Sequence, residues 1–395
     1  MDTIKKQPSR QFKLKAVSNY LSTVKDHKCK HKLSDILFIG LSTCLSNGED
    51  YVDMVLFGKT HKRFLQEYIS LSGGIPSEDT FERVFAAVEP DVLRICLNDY
   101  GKDVVGLLRE KQICLDGKKL KGVSPATRDN RGLYVLNAWV VENRICVGQK
   151  RVEDKSNEIT AIPALIEQLD IKDAVVSIDA IGCQQDIAEQ IVKKGGHYLL
   201  ALKTNQRELY DDTECGFKAC KPESMSETWE YDHGRYETRK CSILSSEGIL
   251  LFENQSQWCG LKTLIKVEAT RMIRGKETSE TRFYISDEQD KTAEYYNALV
   301  RGHWSIVRLC SLTIENQLHW YLDVTFTCTE RSRSKEDASR VRKGNAPENL
   351  ATLRKLALQI IAAKRQNEFQ EKKGYGGVQR RLFEKIIGIN FVRLP

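Results

Sequence analysis

Helical spacing of apolar residues dominates the chain up to residue 108. The stretch LSDILFIGLSTCLSN carries apolar side chains three and four positions apart and stops at Asn47-Gly48, a turn-favouring pair. YVDMVLFGKTHKRFLQEYI follows as a second amphipathic stretch. GGIPSEDTFERVFAAV then supplies a breaker, Ser77 as a helix cap, and Glu78 and Asp79 in the first turn, where the helix dipole favours negative charge. The pattern predicts a compact all-helical domain over 15–108, behind a polar arm at 1–14.

At Gln112 the period changes. QICLDGKKLKG reads as a short apolar strand ending at Asp116-Gly117, and LYVLNAWVVENRICVGQKRV as a hairpin broken at Glu142-Asn143. A helix over 158–168, a continuous apolar strand over 174–178, a helix over 184–194 and a strand over 198–202 follow. Strands alternating with helices predict an α/β core. Residues 226–286 are strand-rich again and suggest a β insertion bounded at about 215–288, and the chain is helical from Lys291 onward. The α/β domain is expected over 110–375, with a C-terminal tail at 376–395.

Composition refines this picture in three ways. With 41% hydrophobic and 29% charged residues, the chain is globular and not disordered. The net charge of +7 is mild, but basic residues gather in separate runs: Lys5, Lys6, Arg10, Lys13 and Lys15, then 25–32, 331–343 and 364–381. Several runs suit a long polyanion, although any one of them reads equally well as a solvated helix face. Twelve cysteines include no CxxC pair, and Cys29 with His27 and His31 lacks the second ligand pair of a zinc site. A polar, basic start and the lack of an apolar run of about 20 residues point to a cytosolic protein with reduced cysteines and no membrane span.

Two aspartates share a context. Asp116 ends ICLD and Asp179 ends AVVSID, each followed by small residues: Gly117 after the first, Ala180 and Gly182 after the second. In open α/β sheets, functional residues gather at the carboxyl ends of strands. The alternative is that each Asp caps a turn.

LDGKKLKG, SIDAIGCQQDIAEQI, GGHYLLALKTNQ, DHGRYETR, RGHWSI, IENQLHWYLDVTF and RVRKGNAPENLATLRKLAL occur in that order. Together they resemble the DDE transposases of bacterial insertion sequences, in the branch of the H-repeat-associated proteins. DHKCKHKLSDILFIGLSTCLSNGEDY and GGIPSEDTFERVF resemble that family's associated helical domain, so the likeness spans about residues 20–365.

The resemblance implies an RNase H-like mixed sheet flanked by helices, carrying out DNA cleavage at element ends and strand transfer with two Mg2+ (or Mn2+) ions. Asp116, Asp179 and Glu315 would be the catalytic and metal-binding carboxylates. Hard divalent cations prefer such oxygen ligands, and two ions about 4 Å apart can activate the attacking oxygen and stabilise the leaving one. DNA contacts are expected from Lys118, Lys119, Lys203, Asn205, Gln206, His233, Arg235, Arg239, His303 and His319. His319 would share a helix face with Glu315. Trp304 and Trp320 read as core. The implied partner is double-stranded DNA, both element termini and target, bound by a homodimer associated with the nucleoid.

Two segments depart from the family pattern. VRLCSLTI (307–314) separates HWSI from ENQLHW, and TCTERSRS (327–334) follows DVTF. If the first continued a helix, it would turn His303 and Trp304 by about 80° relative to Glu315. The expectation is therefore reduced activity in this copy. Three other readings remain: a decayed transposase that only binds DNA, a metal-dependent nuclease or phosphatase, and a helical scaffold.

Overall fold

The computed structural model describes residues 30–46, 48–120, 133–152, 158–232, 235–250, 252–273, 275–304 and 341–371. In chain order the elements are α1 (Leu33–Leu45), α2 (Tyr51–Thr60), α3 (Lys62–Leu65), α4 (Glu78–Ala87) and α5 (Pro90–Val105). Then come β1 (Gln112–Leu120), β2 (Leu133–Val140), β3 (Ile145–Val152), α6 (Glu158–Glu167), β4 (Val175–Ile178), α7 (Gln185–Lys193) and β5 (His197–Leu202). The chain continues through α8 (Arg207–Ala219), β6 (Ser224–Asp232), β7 (Arg235–Ser245), α9 (Phe252–Gln257), β8 (Thr263–Ile273), β9 (Lys276–Ser286), α10 (Ala293–Trp304) and α11 (Ala346–Glu371). These elements form two compact units, one holding α1–α4, most of α5, and α11, the other β1–β9 and α6–α10.

In the first unit, Ser77 caps α4 by accepting from Thr80 N at 3.4 Å, and Asp50 caps α2 by accepting from Asp53 N at 2.9 Å. Every residue of α1 from Asp35 to Leu45 is buried, which accounts for its nearly continuous apolar sequence. It packs against α2 and α11. Asn349 of α11 donates through Nδ2 to the carbonyls of Phe85 and Val88, both at 2.8 Å, and so satisfies acceptors that the end of α4 leaves open. The sequence-based domain over 110–375 follows chain order and groups α11 with the sheet; in space this helix packs on α1 and α4.

The second unit is a nine-stranded mixed sheet in the order β3-β2-β1-β4-β5-β9-β8-β7-β6. β1, β4 and β5 run parallel, and β9 joins β5 antiparallel. The strand-rich stretch is thus an extension of the central sheet. Its last strand, β9, is exposed along Lys276–Thr281 and buried along Phe283–Ser286, where it pairs with β5. Helices cover both faces. α6 packs on β2 and β3 and α7 on β5, while α10 packs on β4, β6, β7 and β8 over a core containing Tyr284, Tyr296 and Ile265. This is the RNase H-like mixed sheet expected above, with a helical N-terminal region.

Candidate active site

β1 and β4 pair in parallel with Gln112 opposite Val175, Cys114 opposite Ser177 and Leu115 opposite Ile178. One step further stand Asp116 and Asp179. Because side chains alternate along a strand, these two share a face with Cys114 and Ser177. Both are half-buried. β1 does not end at Asp116, as the sequence suggested; it runs on to Leu120, and only its partner stops.

Asp179 caps the 3-10 turn Ala180–Gly182, its Oδ1 accepting from Ile181 N at 3.1 Å. Gly182 is small for a packing reason: a Cβ there would come within 2.3 Å of Ile178 Cγ2 and 2.9 Å of Ile162 Cδ1. The loop after β5 braces the same turn. Asn205 Nδ2 donates to the Ala180 carbonyl and Gln206 Nε2 to the Cys183 carbonyl, each at 2.9 Å. Their amide donors are therefore used inside the protein, where the sequence reading had them meeting DNA. Lys203 is exposed at the start of that loop.

Glu158, the first residue of α6, is a carboxylate that the sequence reading passed over. Its Oε1 lies 2.2 Å from where a Cβ on Gly117 would stand, so only glycine allows the two to approach. Burial first, and the negative charge of Asp179 second, raise the Glu158 pKa above the usual carboxylate range. An acidic residue in the first turn of a helix is expected from the helix dipole alone, which is why the sequence does not distinguish it.

Below the aspartates lies a buried polar layer. Gln112 Nε2 donates to Ser177 Oγ at 2.9 Å and to the Leu299 carbonyl at 2.8 Å. Ser177 Oγ is 2.8 Å from Nδ1 of His303, whose exposure is 2%. Burial pushes the His303 pKa down to about 3, so the ring is neutral, and its tautomer sets which partner donates in the bond to Ser177. His303, expected from the sequence to contact DNA, joins α10 to β4 inside the protein. Arg239, from the same expectation, is also engaged internally. It is 11% exposed and pairs with Glu237 at 2.8 Å, an acid that Arg271 also approaches at 3.5 Å. A guanidinium held this way beneath the sheet surface is not presented to a phosphate.

Lys118 and Lys119 lie on β1, Arg235 opens β7 and Trp304 ends α10. Glu315, His319, Trp320, His233, Cys29, His27 and the segments 307–314 and 327–334 fall outside the described residues, as do the arm and tail. Among the described residues, no three His, Cys, Asp or Glu side chains converge closely enough to hold an ion as they stand. A cavity of about 870 Å3 opens at the other end of these strands, lined by Arg109, Asp173, Glu288 and Lys291 among others. Its charges are matched internally, with Arg109 to Asp173 at 2.7 Å and Lys291 to Glu288 at 3.6 Å, so it is not an alternative to the aspartate end. No described helix is long and apolar enough to cross a membrane.

Comparison with known proteins adds the family. The model of the transposase DDE domain matches residues 108–358, and that of its associated domain, DDE_Tnp_1-associated, matches 19–100. The "H repeat-associated putative transposase YhhI" of Escherichia coli (strain K12) is 33% identical over 96% of this chain and 97% of its own length. The "Uncharacterized protein in dhlA 3'region" of Xanthobacter autotrophicus is 40% identical over 65% of this chain and 87% of its own. The "Putative transposase YncI" of Escherichia coli O157:H7 is 33% identical over 88% of this chain and 87% of its own. With two aspartates side by side on neighbouring parallel strands of a mixed sheet and matches that run through both regions, the chain belongs to the DDE transposases, in the branch of the H repeat-associated proteins.

Proposed function

We propose that this protein cuts DNA at the ends of its element and joins the freed 3′ end to target DNA. The observation that carries the proposal is the register of β1 and β4, which sets Asp116 beside Asp179 at the carboxyl end of the pair. DDE transposase domains generally use divalent metal ions. The donor chemistry here fits: carboxylate oxygens are what Mg2+ and Mn2+ prefer. Asp116 and Asp179 would hold the ions, with Glu315 as the third carboxylate by resemblance. When bound, such ions supply Lewis acidity and a more acidic water.

The chain's own residues do the positioning. Asn205 and Gln206 fix the turn that orients Asp179, and the Ser177–His303 bond fixes β4 beneath it. In the first step a water oxygen bonds to phosphorus at the element's end, the bond to the 3′-oxygen breaks, and that oxygen takes a proton. In the second, the freed 3′-hydroxyl oxygen bonds to a target phosphorus and the target strand's own 3′-oxygen leaves. Lys203, Lys118 and Lys119 are the basic residues nearest in sequence to this end of the sheet and would steer phosphate. A homodimer would present two such sites to two element ends.

The test is cleavage of the element's terminal DNA with Mg2+ or Mn2+, with the full chain run beside a version lacking 307–314 and 327–334. Cutting by the full chain supports the proposal. The two extra segments favour a second reading, a copy that binds DNA without cutting it. Cutting by the trimmed version alone would establish that reading.

A further inference from the structure

We propose that the face of β6, β7 and β8 turned away from α10 is the surface on which a second copy of this chain docks, face to face about a twofold axis. This surface adds to the function proposed above, where two copies act together, and depends on none of its chemistry.

β6 is built inside out. Residues alternate between the two faces of a strand, and the apolar set normally points inward. In β6 the even-numbered, polar residues face α10: Ser224 Oγ accepts from Ala293 N at 3.1 Å, Thr228 Oγ1 accepts from Asn297 Nδ2 at 3.4 Å, and Glu230 pairs with Arg301. The odd-numbered Met225, Trp229 and Tyr231 stand in solvent, Trp229 with 78% of its surface exposed. A slip of one residue would turn them inward. The contacts with α10 and an unbroken ladder to β7 from Ser224 to Asp232 hold the register against it.

The apolar patch continues across the sheet. Tyr231 stands opposite Tyr236 with ring centroids 4.4 Å apart, and Tyr236 stands opposite Met272; both are exposed. α8 covers the base of this same face, Phe217 stacking on Phe283, and leaves the tip in water. A buried aromatic residue covers about 150–250 Å2, so three rings more than half exposed leave roughly 300–500 Å2 uncovered. That alone equals the largest patch of a typical monomer. With Met225, Met272 and the strands between them, the face nears the about 800 Å2 per partner of a standard interface.

Composition selects the occupant. Aromatic residues and Met with no charge among them are the core composition of a protein interface. β6 carries Glu227, Glu230 and Asp232 and no Lys or Arg, so this strand offers nothing to a phosphate backbone. The rim on the docking face holds both signs: Lys240 lies between Glu227 and Glu268 across the ladder, and Glu277 lies opposite Met272. A neutral centre with lysine and acids around it is complementary to its own image, because a twofold pairing can set lysine against acid on both sides.

The experiment is sedimentation equilibrium of the full-length protein between about 0.5 and 50 µM, without DNA or metal. Wild type is compared with Trp229→Ser, Tyr236→Ser and Leu107→Ser. Each replaces an exposed side chain, so the fold is kept, and circular dichroism checks it; Leu107, 77% exposed, lies outside these strands.

The expected result is a monomer–dimer equilibrium in wild type, weakened about thirtyfold or more in Trp229→Ser and about tenfold in Tyr236→Ser, and unchanged in Leu107→Ser. A wild type that stays monomeric throughout the range, or an unchanged dimer in Trp229→Ser, would overturn the proposal. So would equal weakening in Leu107→Ser, which marks indiscriminate apolar association. Unchanged self-association with weaker binding of a terminal DNA duplex in Trp229→Ser would give the face to DNA and overturn it too. Cleavage by wild type is scored separately: its absence beside a dimer lost in Trp229→Ser would sink the proposed function and leave this surface standing.

Discussion

Two successive layers of the same strand pair meet opposite fates. In the Cys114–Ser177 layer, Gln112, Ser177, His303 and the Leu299 carbonyl satisfy one another with bonds of 2.8–2.9 Å. In the Asp116–Asp179 layer, two residues further along each side, two carboxylates share a face, Glu158 lies near Asp179, and as placed the three do not close on a common point. The residues are polar in both. What differs is charge: the lower layer is neutral and closes on itself, whereas the upper one is built of carboxylates, with Asp179 accepting from Ile181 N. Polar residues that complete each other rigidify a fold; neighbouring carboxylates mark where it acts.

The largest expected effect comes from emptying the upper layer. Asp116→Asn or Asp179→Asn should lower terminal DNA cleavage on the order of a thousandfold or more while leaving the protein folded. Single-turnover cleavage alongside circular dichroism measures both. Breaking the lower layer should do the reverse. His303→Ala removes a buried ring and its hydrogen bond to Ser177, and should cost about 2–4 kcal/mol in urea unfolding.

The lower layer also sets a pH dependence. The folded-state pKa of His303, about 3, lies below the ordinary 6.5. Its neutral form therefore contributes fully above pH 6.5, and stability is lost as pH falls from there towards 3, because the unfolded chain takes up the proton first. Glu142 and Asp287, whose pKa values burial raises, act in the opposite sense. The comparison is then between wild type and His303→Gln, which keeps a hydrogen-bonding group for Ser177: the variant's stability should fall less between pH 6.5 and 4.

Smaller effects probe the seam between the layers. Gly182→Ala drives a Cβ into Ile178 and Ile162 and should cost about 1–3 kcal/mol. Asn205→Ala removes one bond to the Ala180 carbonyl and should cost about 1 kcal/mol, with Mn2+ affinity kept and cleavage reduced if that turn orients Asp179.

The sequence exposed what depends on local pattern. Continuous apolar runs marked β4 and β5, helix period marked α6 and α7, and an acid closing each of the apolar runs ICLD and SID marked both aspartates, although β1 itself runs on past Asp116. It hid what depends on partners far along the chain. Glu158 looks like any acid at a helix start, because nothing local records that Gly117 will lie beneath it. His303 and Arg239 looked available for phosphate, because a sequence shows charge and hydrogen-bonding capacity but not that Ser177 and Glu237 have already taken them up. The joining of β9 to β5 was equally invisible: strand character is local, whereas sheet membership is not. The register of β1 against β4 was accessible only as an expectation from strand ends, and the fold supplied it.

One feature of the helical unit bears on how the protein is made. α1 is mostly apolar, buried from Asp35 to Leu45, and covered in part by α11, which begins at Ala346. A ribosome adds about 5–20 residues per second, so roughly 300 residues of synthesis separate the two, or some 15–60 s. During that interval the nascent chain carries an unclosed greasy helix at its leading end while the sheet forms behind it. This early helix is thus among the last parts of its unit to be covered, which makes the nascent chain a client for a holdase until α11 has been made.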